Sequence, residues 1–250
     1  MNASVSRILT LTVRNVKEIL REPLSLIFML ALPLAMEILF YFIFHELTAQ
    51  FEMKYLAPGI VVFSQSFLSL FTGLLIAVDR NTSFLTRLYV SRARSYEFIL
   101  GYAIAVLPIA LVQAILFFLV GGIIDNSLFG AGMVYGVLLS LVTSLFFIAF
   151  GILFGSVCGE KSIGGVSSIV ITGQSVLSGM WFPIEGLSGV MITVMKVLPF
   201  KNATMLVQNV ILGVNDVFSD VVLPLLIVLG YTVVTLAVAV ILFGSKMKEK

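Results

Sequence analysis

The segment "MWFPIEGLSGVMITVMKVLPFKNATMLVQNVILGVND", Met180 to Asp216, decides how many times this chain crosses a membrane. It is apolar enough to suggest a span. A span here would hold Lys196, Pro199 and Lys201 in mid-segment, at roughly 3 kcal/mol for each charge placed in the bilayer. Only about 15 residues fit between Pro183 and Pro199, or about 22 Å of helix against a hydrocarbon core of about 30 Å. The expectation is two short helices, broken at Leu198-Pro199, that dip into or rest on the outer leaflet. Trp181 then falls in the aromatic belt.

On either side the chain is more apolar still. Sixty per cent of its 250 residues are hydrophobic and 11% are charged, and the mean hydropathy is +1.13. So few charges do not cover a soluble surface of this size. Six stretches have the length of a transmembrane helix: Leu24–Phe44, Ala57–Val78, Phe98–Ile124, Gly130–Val157, Ile163–Phe182 and Val221–Gly244. The opening "MNASVSRILTLTVRNVKEILREP" lacks the compact apolar core of a signal peptide. Ile8, Leu11, Val16, Ile19 and Leu20 instead share a broad helical stripe among Arg7, Arg14, Lys17 and Arg21. That pattern predicts an interfacial amphipathic helix stopped by Pro23. The sequence therefore predicts an all-α polytopic membrane protein: an N-terminal interfacial helix, six transmembrane helices, and broken short helices on the outer side before the sixth.

Orientation follows from the cations. Twelve of the 15 Lys and Arg fall in the N-terminal segment, the loop 79–97, the 160–161 turn and the tail, all on one side. Lys54, Lys196 and Lys201 fall on the other. The positive-inside rule makes both termini and the arginine loop cytoplasmic, with the whole chain in the plasma membrane. One transmembrane domain then covers 1–250, comprising a cytoplasmic interfacial helix (1–22), a cytoplasmic loop (79–97), outer broken helices (183–220) and a cytoplasmic tail (245–250).

Small and polar residues mark the protein-facing sides of spans. Gly132, Gly136, Ser140 and Ser144 recur every four residues, followed by Gly151, Gly155 and Gly159. Gly164, Gly165, Ser167, Ser168, Thr172, Gly173 and Gln174 crowd the fifth stretch. Such ridges let helices approach closely. Pro33 and Pro108 sit inside spans and predict kinks. Glu37 is the one acid deep in an apolar stretch, about 5 Å past its midpoint. It faces protein, water or a proton, as a contact to the transported substrate or as a neutral acid joining helices. Glu37 with Gln65, Gln113 and Gln174 makes the candidate lining of a translocation path, the amides at 65 and 113 being candidate partners for the acid. Lone Cys158 and lone His45 exclude a disulfide framework and a metal-ligand cluster.

The loop "DRNTSFLTRLYVSRARSYEFILGY", Asp79 to Tyr102, carries the remaining chemistry. Asn81 is a candidate helix cap, and Phe84, Leu85, Leu88 and Tyr89 form an apolar strip flanked by Arg80, Arg87, Arg92 and Arg94. A helix of two or three turns needs tertiary contact to persist. The surfaces open to it are an anionic membrane or a groove on a partner protein; a solvated loop that only fixes topology is the plainer reading.

Over essentially its whole length the chain resembles the membrane subunits of type-2 ABC exporters, the permeases of drug, lipid and polysaccharide export. The resemblance rests on the interfacial helix ending at "REP", the span order, and the loop residues Asp79-Arg80, Leu85, Arg87-Leu88, Val90-Ser91, Glu97 and Leu100-Gly101. In the outer stretch it rests on Ser178-Gly179, Phe182-Pro183, Leu187, Leu198-Pro199 and Gly213. The chain departs from the family pattern at Ser83-Phe84, Thr86, Arg92 and Ser188. The resemblance implies that Arg80, Phe84, Leu85, Arg87, Leu88, Tyr89, Arg92 and Arg94 belong to a coupling helix that docks on a cytoplasmic ATP-binding subunit. It implies an assembly of two permease subunits, alike or related, and two ATPase subunits, in contact with membrane lipid. ATP and Mg would be held by the ATPase partner, and no cofactor by this chain. No Gly-x-x-x-x-Gly-Lys-[Ser/Thr] loop occurs, so the chain is expected to be a transport subunit rather than an enzyme in its own right. A secondary transporter or channel is the alternative; it calls for several intramembrane acids or an inverted repeat, where this sequence shows one acid and no clear repeat. A membrane enzyme calls for clustered catalytic residues, which His45 and Glu46 do not supply.

Overall fold

Van der Waals packing and interhelical hydrogen bonds must hold a bundle together where lipid tails are as apolar as leucine. The computed structural model of the chain, which describes residues 3–81, 94–182 and 186–248, meets this constraint with helices alone. They are α1 (Ala3–Arg21), α2 (Pro23–Phe44), α3 (Met53–Asn81), α4 (Ser95–Ile124), α5 (Ala131–Val157), α6 (Glu160–Leu177), α7 (Gly189–Val197), α8 (Pro199–Leu212) and α9 (Leu223–Lys248). A short π-helical turn, Phe218–Val222, leads into α9.

The centre is α3, which packs against α2, α4, α5, α6 and α8. It is the most buried of the spanning helices among the described residues, and both core clusters draw on it. One joins Met53, Ala57 and Phe63 to Phe117, Phe147 and Val207. The other joins Leu68 and Ile76 to Met29, Phe98 and Ile152. The α3–α5 crossing is closest at glycine. A Cβ on Gly151 would lie 2.4 Å from the Ser69 carbonyl oxygen, and one on Gly155 would lie 2.6 Å from that of Gly73. At the other end of α5, Gly132 meets the Val210 carbonyl of α8 in the same way, at 2.7 Å. The small-residue ridge of α5 is thus a packing ridge, with Gly159 outside it, where a Cβ meets no atom of the described residues. Both α2 and α4 run unbroken through Pro33 and Pro108.

Five helices among the described residues are long and apolar enough to span: α2, α3, α4, α5 and the last, from Phe218. The expected fifth span, α6, is not among them. Its 18 residues rise about 27 Å, and glycine, serine and glutamine lower its hydropathy. It nonetheless runs antiparallel to α3 through much of the bundle, from Ile163 beside Gly73 to Trp181 edge-on to Phe63. Ile163, Ser167, Val170 and Gln174 form its buried stripe. Gly164, Gly165 and Gly173 on its other sides have no atom of the described residues within 4 Å of a built Cβ.

The segment between Trp181 and Asp216 does not form one straight helix. α7 and α8 meet at Leu198 with a bend of 78°. Leu198 is extended, Pro199 opens α8, and the Asn202 amide donates to the carbonyls of Lys196 (2.8 Å) and Leu198 (2.7 Å). That amide satisfies acceptors left free where α7 ends. Gly213, at φ +105°, ends α8 in a conformation that favours glycine.

The glycine contacts predict opposite outcomes for similar changes. Gly151→Leu is expected to force α3 and α5 apart at a cost of about 3 kcal/mol or more and to abolish monodisperse protein in size-exclusion chromatography. Gly189→Ala, at the start of α7 where an added Cβ meets no atom of the described residues, is expected to leave that elution profile unchanged.

Candidate functional site

Both ends of the arginine loop are tied to α1. At the start of the loop, Asp79 is buried in the last turn of α3 and accepts a forked ion pair from Arg14, with Arg14 Nη2 at 2.6 Å from Oδ1. The Tyr102 hydroxyl of α4 donates to the same carboxylate at 2.6 Å. At its end, Glu97 is fully buried in the first turn of α4. It takes Arg7 Nη2 at 2.7 Å and Nε at 2.9 Å, the Ser4 hydroxyl, and the Arg94 backbone N–H at 3.1 Å. Hydrogen bonding to Glu97 raises Arg7 above the ordinary arginine value.

The spacing explains why one helix reaches both acids. Arg7 and Arg14 are seven residues apart, so they project from one face of α1 about 10 Å apart. The same helix side packs on α4 at Gly101, where a Cβ would come within 2.8 Å of Leu11 Cβ. Val5, Leu9 and Val13 are exposed on another side of α1, where they suit a lipid interface. The expected single stripe therefore divides: Leu11 and Ile19 pack on the protein, whereas Leu20 is exposed. Glu18 pairs with Arg14 at 2.6 Å. Burial, with Asp79 nearby, raises the Glu18 carboxyl above its ordinary range.

Of the residues assigned to coupling, Arg80 and Arg94 are described. Arg80 Nη1 donates to the carbonyls of Gly155 (2.8 Å) and Cys158 (3.2 Å), so it closes the C-terminus of α5. Arg94 precedes α4 and is exposed. Asn81, read as the cap of the loop helix, is the last residue of α3. Phe84, Leu85, Arg87, Leu88, Tyr89 and Arg92 lie outside the described residues.

The four candidate path residues occupy separate helix contacts. Gln65 joins α3 to α5, donating to the Ser140 carbonyl at 2.8 Å and accepting from the Thr143 hydroxyl at 2.9 Å. Gln113 joins α4 to α2 through the Met29 carbonyl at 3.0 Å. Gln174 is buried on the α3-facing stripe of α6, and its amide atoms have no partner among the described residues. Glu37 is fully buried, and both its oxygens lack a partner among them. A Cβ on Gly121 would stand 3.0 Å from its Oε1, beside Ala57 and Met53. Gly121 thus makes room for the carboxyl in the chain's own core. The glutamines at 65 and 113 bond elsewhere and do not partner the acid.

Sequence reading had Asp79 and Glu97 as matches to a pattern and Arg7 and Arg14 as topology charges, and it passed over Tyr102. The available signal was pairing by count: two acids at the two ends of a basic loop, and two arginines one heptad apart.

Several long apolar helices, with a helix strapped across two of them by paired acids and arginines, define a multi-pass membrane component. The sequence model of the ABC-2 type transporter family matches residues 6–212. The chain belongs to that family and is a permease of an ABC transporter, a class that in general implies an ATP-binding partner subunit. A comparison with curated proteins finds no match.

The strap generates a prediction. Asp79→Asn removes the charge facing Arg14 and is expected to weaken α1 docking by roughly 1–3 kcal/mol. Hydrogen–deuterium exchange of α1 amides would then quicken about tenfold or more; unchanged exchange would show that the ion pair does not hold α1.

Proposed function

We propose that the chain is the membrane-spanning subunit of an ATP-driven exporter, with the loop 79–97 as its coupling element and the translocation path at the contact of two permeases. The observation that carries this reading is the double anchorage of the loop. An element that receives force from an ATPase transmits it only if its roots are stiff. Asp79 and Glu97 fix those roots to α1, and Arg80 fixes one of them to α5. The apolar strip Phe84, Leu88 and Tyr89 then docks in the groove of a cytoplasmic ATP-binding subunit. The cation asymmetry supports placing both termini and this loop on the cytoplasmic side of the plasma membrane.

The open side of α6 supports a second permease, alike or related. Small residues without neighbours let another helix approach closely. Two permeases then meet two ATPase subunits, which carry ATP and Mg, and closure of the ATPases opens a path outward between the permeases. In this arrangement Gln65 and Gln113 stand behind the path as helix joints, Gln174 lies buried against α3, and Glu37 fills the space beside Gly121.

The test is purification of the tagged chain from its native membrane in mild detergent, with mass spectrometry of its companions. A stoichiometric protein carrying a Walker A sequence is expected. Replacing Phe84, Leu88 and Tyr89 together by alanine is expected to lose it while membrane insertion persists. A chain that purifies only with itself and transports in ATP-free vesicles would instead be a secondary transporter. Glu37→Gln keeps shape and removes the charge, so assembly and export are expected to persist; intact assembly with lost export would place Glu37 in the path.

A further inference from the structure

The bend between α7 and α8 reaches the middle of the bundle. Phe200, in the first turn of α8, stands edge-on to Phe146 with ring centroids 5.9 Å apart, and Phe146 lies close to the middle of α5. Tyr231 meets the same ring at 6.3 Å, and it sits at the midpoint of the last span, Phe218–Ser245. At the far end of α8, Asn209 donates to the Asp220 carbonyl near the start of that span, and Val210 meets Gly132 at the start of α5. α8 therefore climbs from mid-depth to the end of the bundle opposite the arginine loop. Lys196, in the last turn of α7, stands at its foot.

Beside that foot, α7 and α9 border an open hollow of about 510 Å³. Leu226, Gly230, Tyr231 and Val234 line it from α9, and Val197 and Lys196 from α7. Lys196 is the one charged side chain among the described residues that line it. The lysine makes no ion pair among the described residues. Nor does it close α7, because the Asn202 amide already donates to the carbonyls of Lys196 and Leu198. A second copy of this chain has no counter-charge to offer at this depth. Among the described residues its acids lie at the ends of helices, on α1 or between helices, apart from Glu37, which is buried beside Gly121. Val190 and Val194 continue the exposed stripe of Val197 along α7, a surface that suits hydrocarbon.

A cation at mid-depth in a bilayer is retained where something offsets its charge. A resident lipid keeps its head at the surface, so a head group at this depth belongs to a molecule in transit. We propose that the hollow between α7 and α9 binds the anionic head of an amphiphile, a phosphate, sulfate or carboxylate, against Lys196, and that this amphiphile is the substrate the permease carries. Its tail lies along the exposed valines of α7. The assignment as substrate rests on the export reading above; the binding of the head does not, and the two are tested apart.

The test uses the full chain in phosphatidylcholine nanodiscs, without ATP, and an alkyl phosphate with a diazirine on the carbon beside the phosphate. An alkyltrimethylammonium of equal length, with the diazirine in the same place, is the control. Photolabelled peptides are mapped by mass spectrometry. The phosphate probe is expected to label α7 and residues 226–234, in mid-span, and to label the other spans only at their ends. Lys196→Gln is expected to reduce the mid-span label about tenfold and to leave the end labels unchanged, whereas Lys196→Arg keeps it. Gly230→Leu, which narrows the hollow and keeps the lysine, is also expected to reduce it, with size-exclusion profiles checking assembly of each variant. Equal mid-span labelling by the ammonium probe, phosphate labels confined to span ends, or a mid-span label indifferent to Lys196→Gln would overturn the proposal. In the complex with its ATPase, alkyl phosphate is expected to stimulate ATP hydrolysis, and Lys196→Gln to abolish the stimulation. Stimulation that ignores Lys196→Gln would overturn the substrate assignment. A chain that has no ATPase partner yet labels as expected would overturn the export reading, and the substrate assignment with it, while the anion site stands.

Discussion

The structure depends on the close approach of α3 and α5. Where water is absent, burying one apolar helix against another gains little over burying it in lipid, so association rests on contact distance and hydrogen bonds. Gly151 and Gly155 bring the backbone of α5 against the carbonyls of Ser69 and Gly73. That approach sets Gln65 within reach of Ser140 and Thr143, and it puts Arg80 over the end of α5. Interhelical hydrogen bonds of this kind contribute roughly 0.6 kcal/mol each. Their role is to select one register among several that packing alone would permit.

From that crossing the loop end of the bundle becomes rigid. α3 carries Asp79 and α4 carries Glu97, and α1 lies across both with Arg7 and Arg14. Each pair has one partner buried and one partly in solvent. Forked arginine contacts and neighbouring hydroxyls meet the buried acids, so desolvation is offset locally. Removing either arginine would leave a buried acid uncompensated. The strap therefore works as specificity for one docking of α1 more than as net stability.

Much of this was legible in the chain. Long apolar runs gave five of the spans directly, and Leu198-Pro199 marked the break that the 78° bend confirms. Charges at Lys196 and Lys201 argued correctly against one straight crossing helix. α6 was harder: its glycines and serines weaken hydropathy, and only its place along α3 shows why polarity is tolerated there. The loop anchors were legible in principle but not read, because topology counting treats arginines as a sum. Periodicity within α1 places Arg7 and Arg14 on one face, yet it does not say which acids they meet. Helix packing, decided at Gly101 and Leu11, supplies that.

Polar residues in a transporter's spans invite the reading that they touch what is carried. Here the arrangement argues otherwise within one chain. Gln65 bonds to α5 through both its amide nitrogen and its oxygen, Gln113 bonds to α2 through its amide nitrogen, and Glu37 fills a space opened by Gly121. A path through the middle of a single bundle would have to break these joints and part α3 from α5. A path between two bundles leaves them intact and uses surfaces that are already open, on α6 and on the sparsely buried α2 and α9. The interior is thus best understood as a stiff body, stapled at glycine contacts and strapped at its loop end, which the proposed pairing of two permeases would use without breaking its joints.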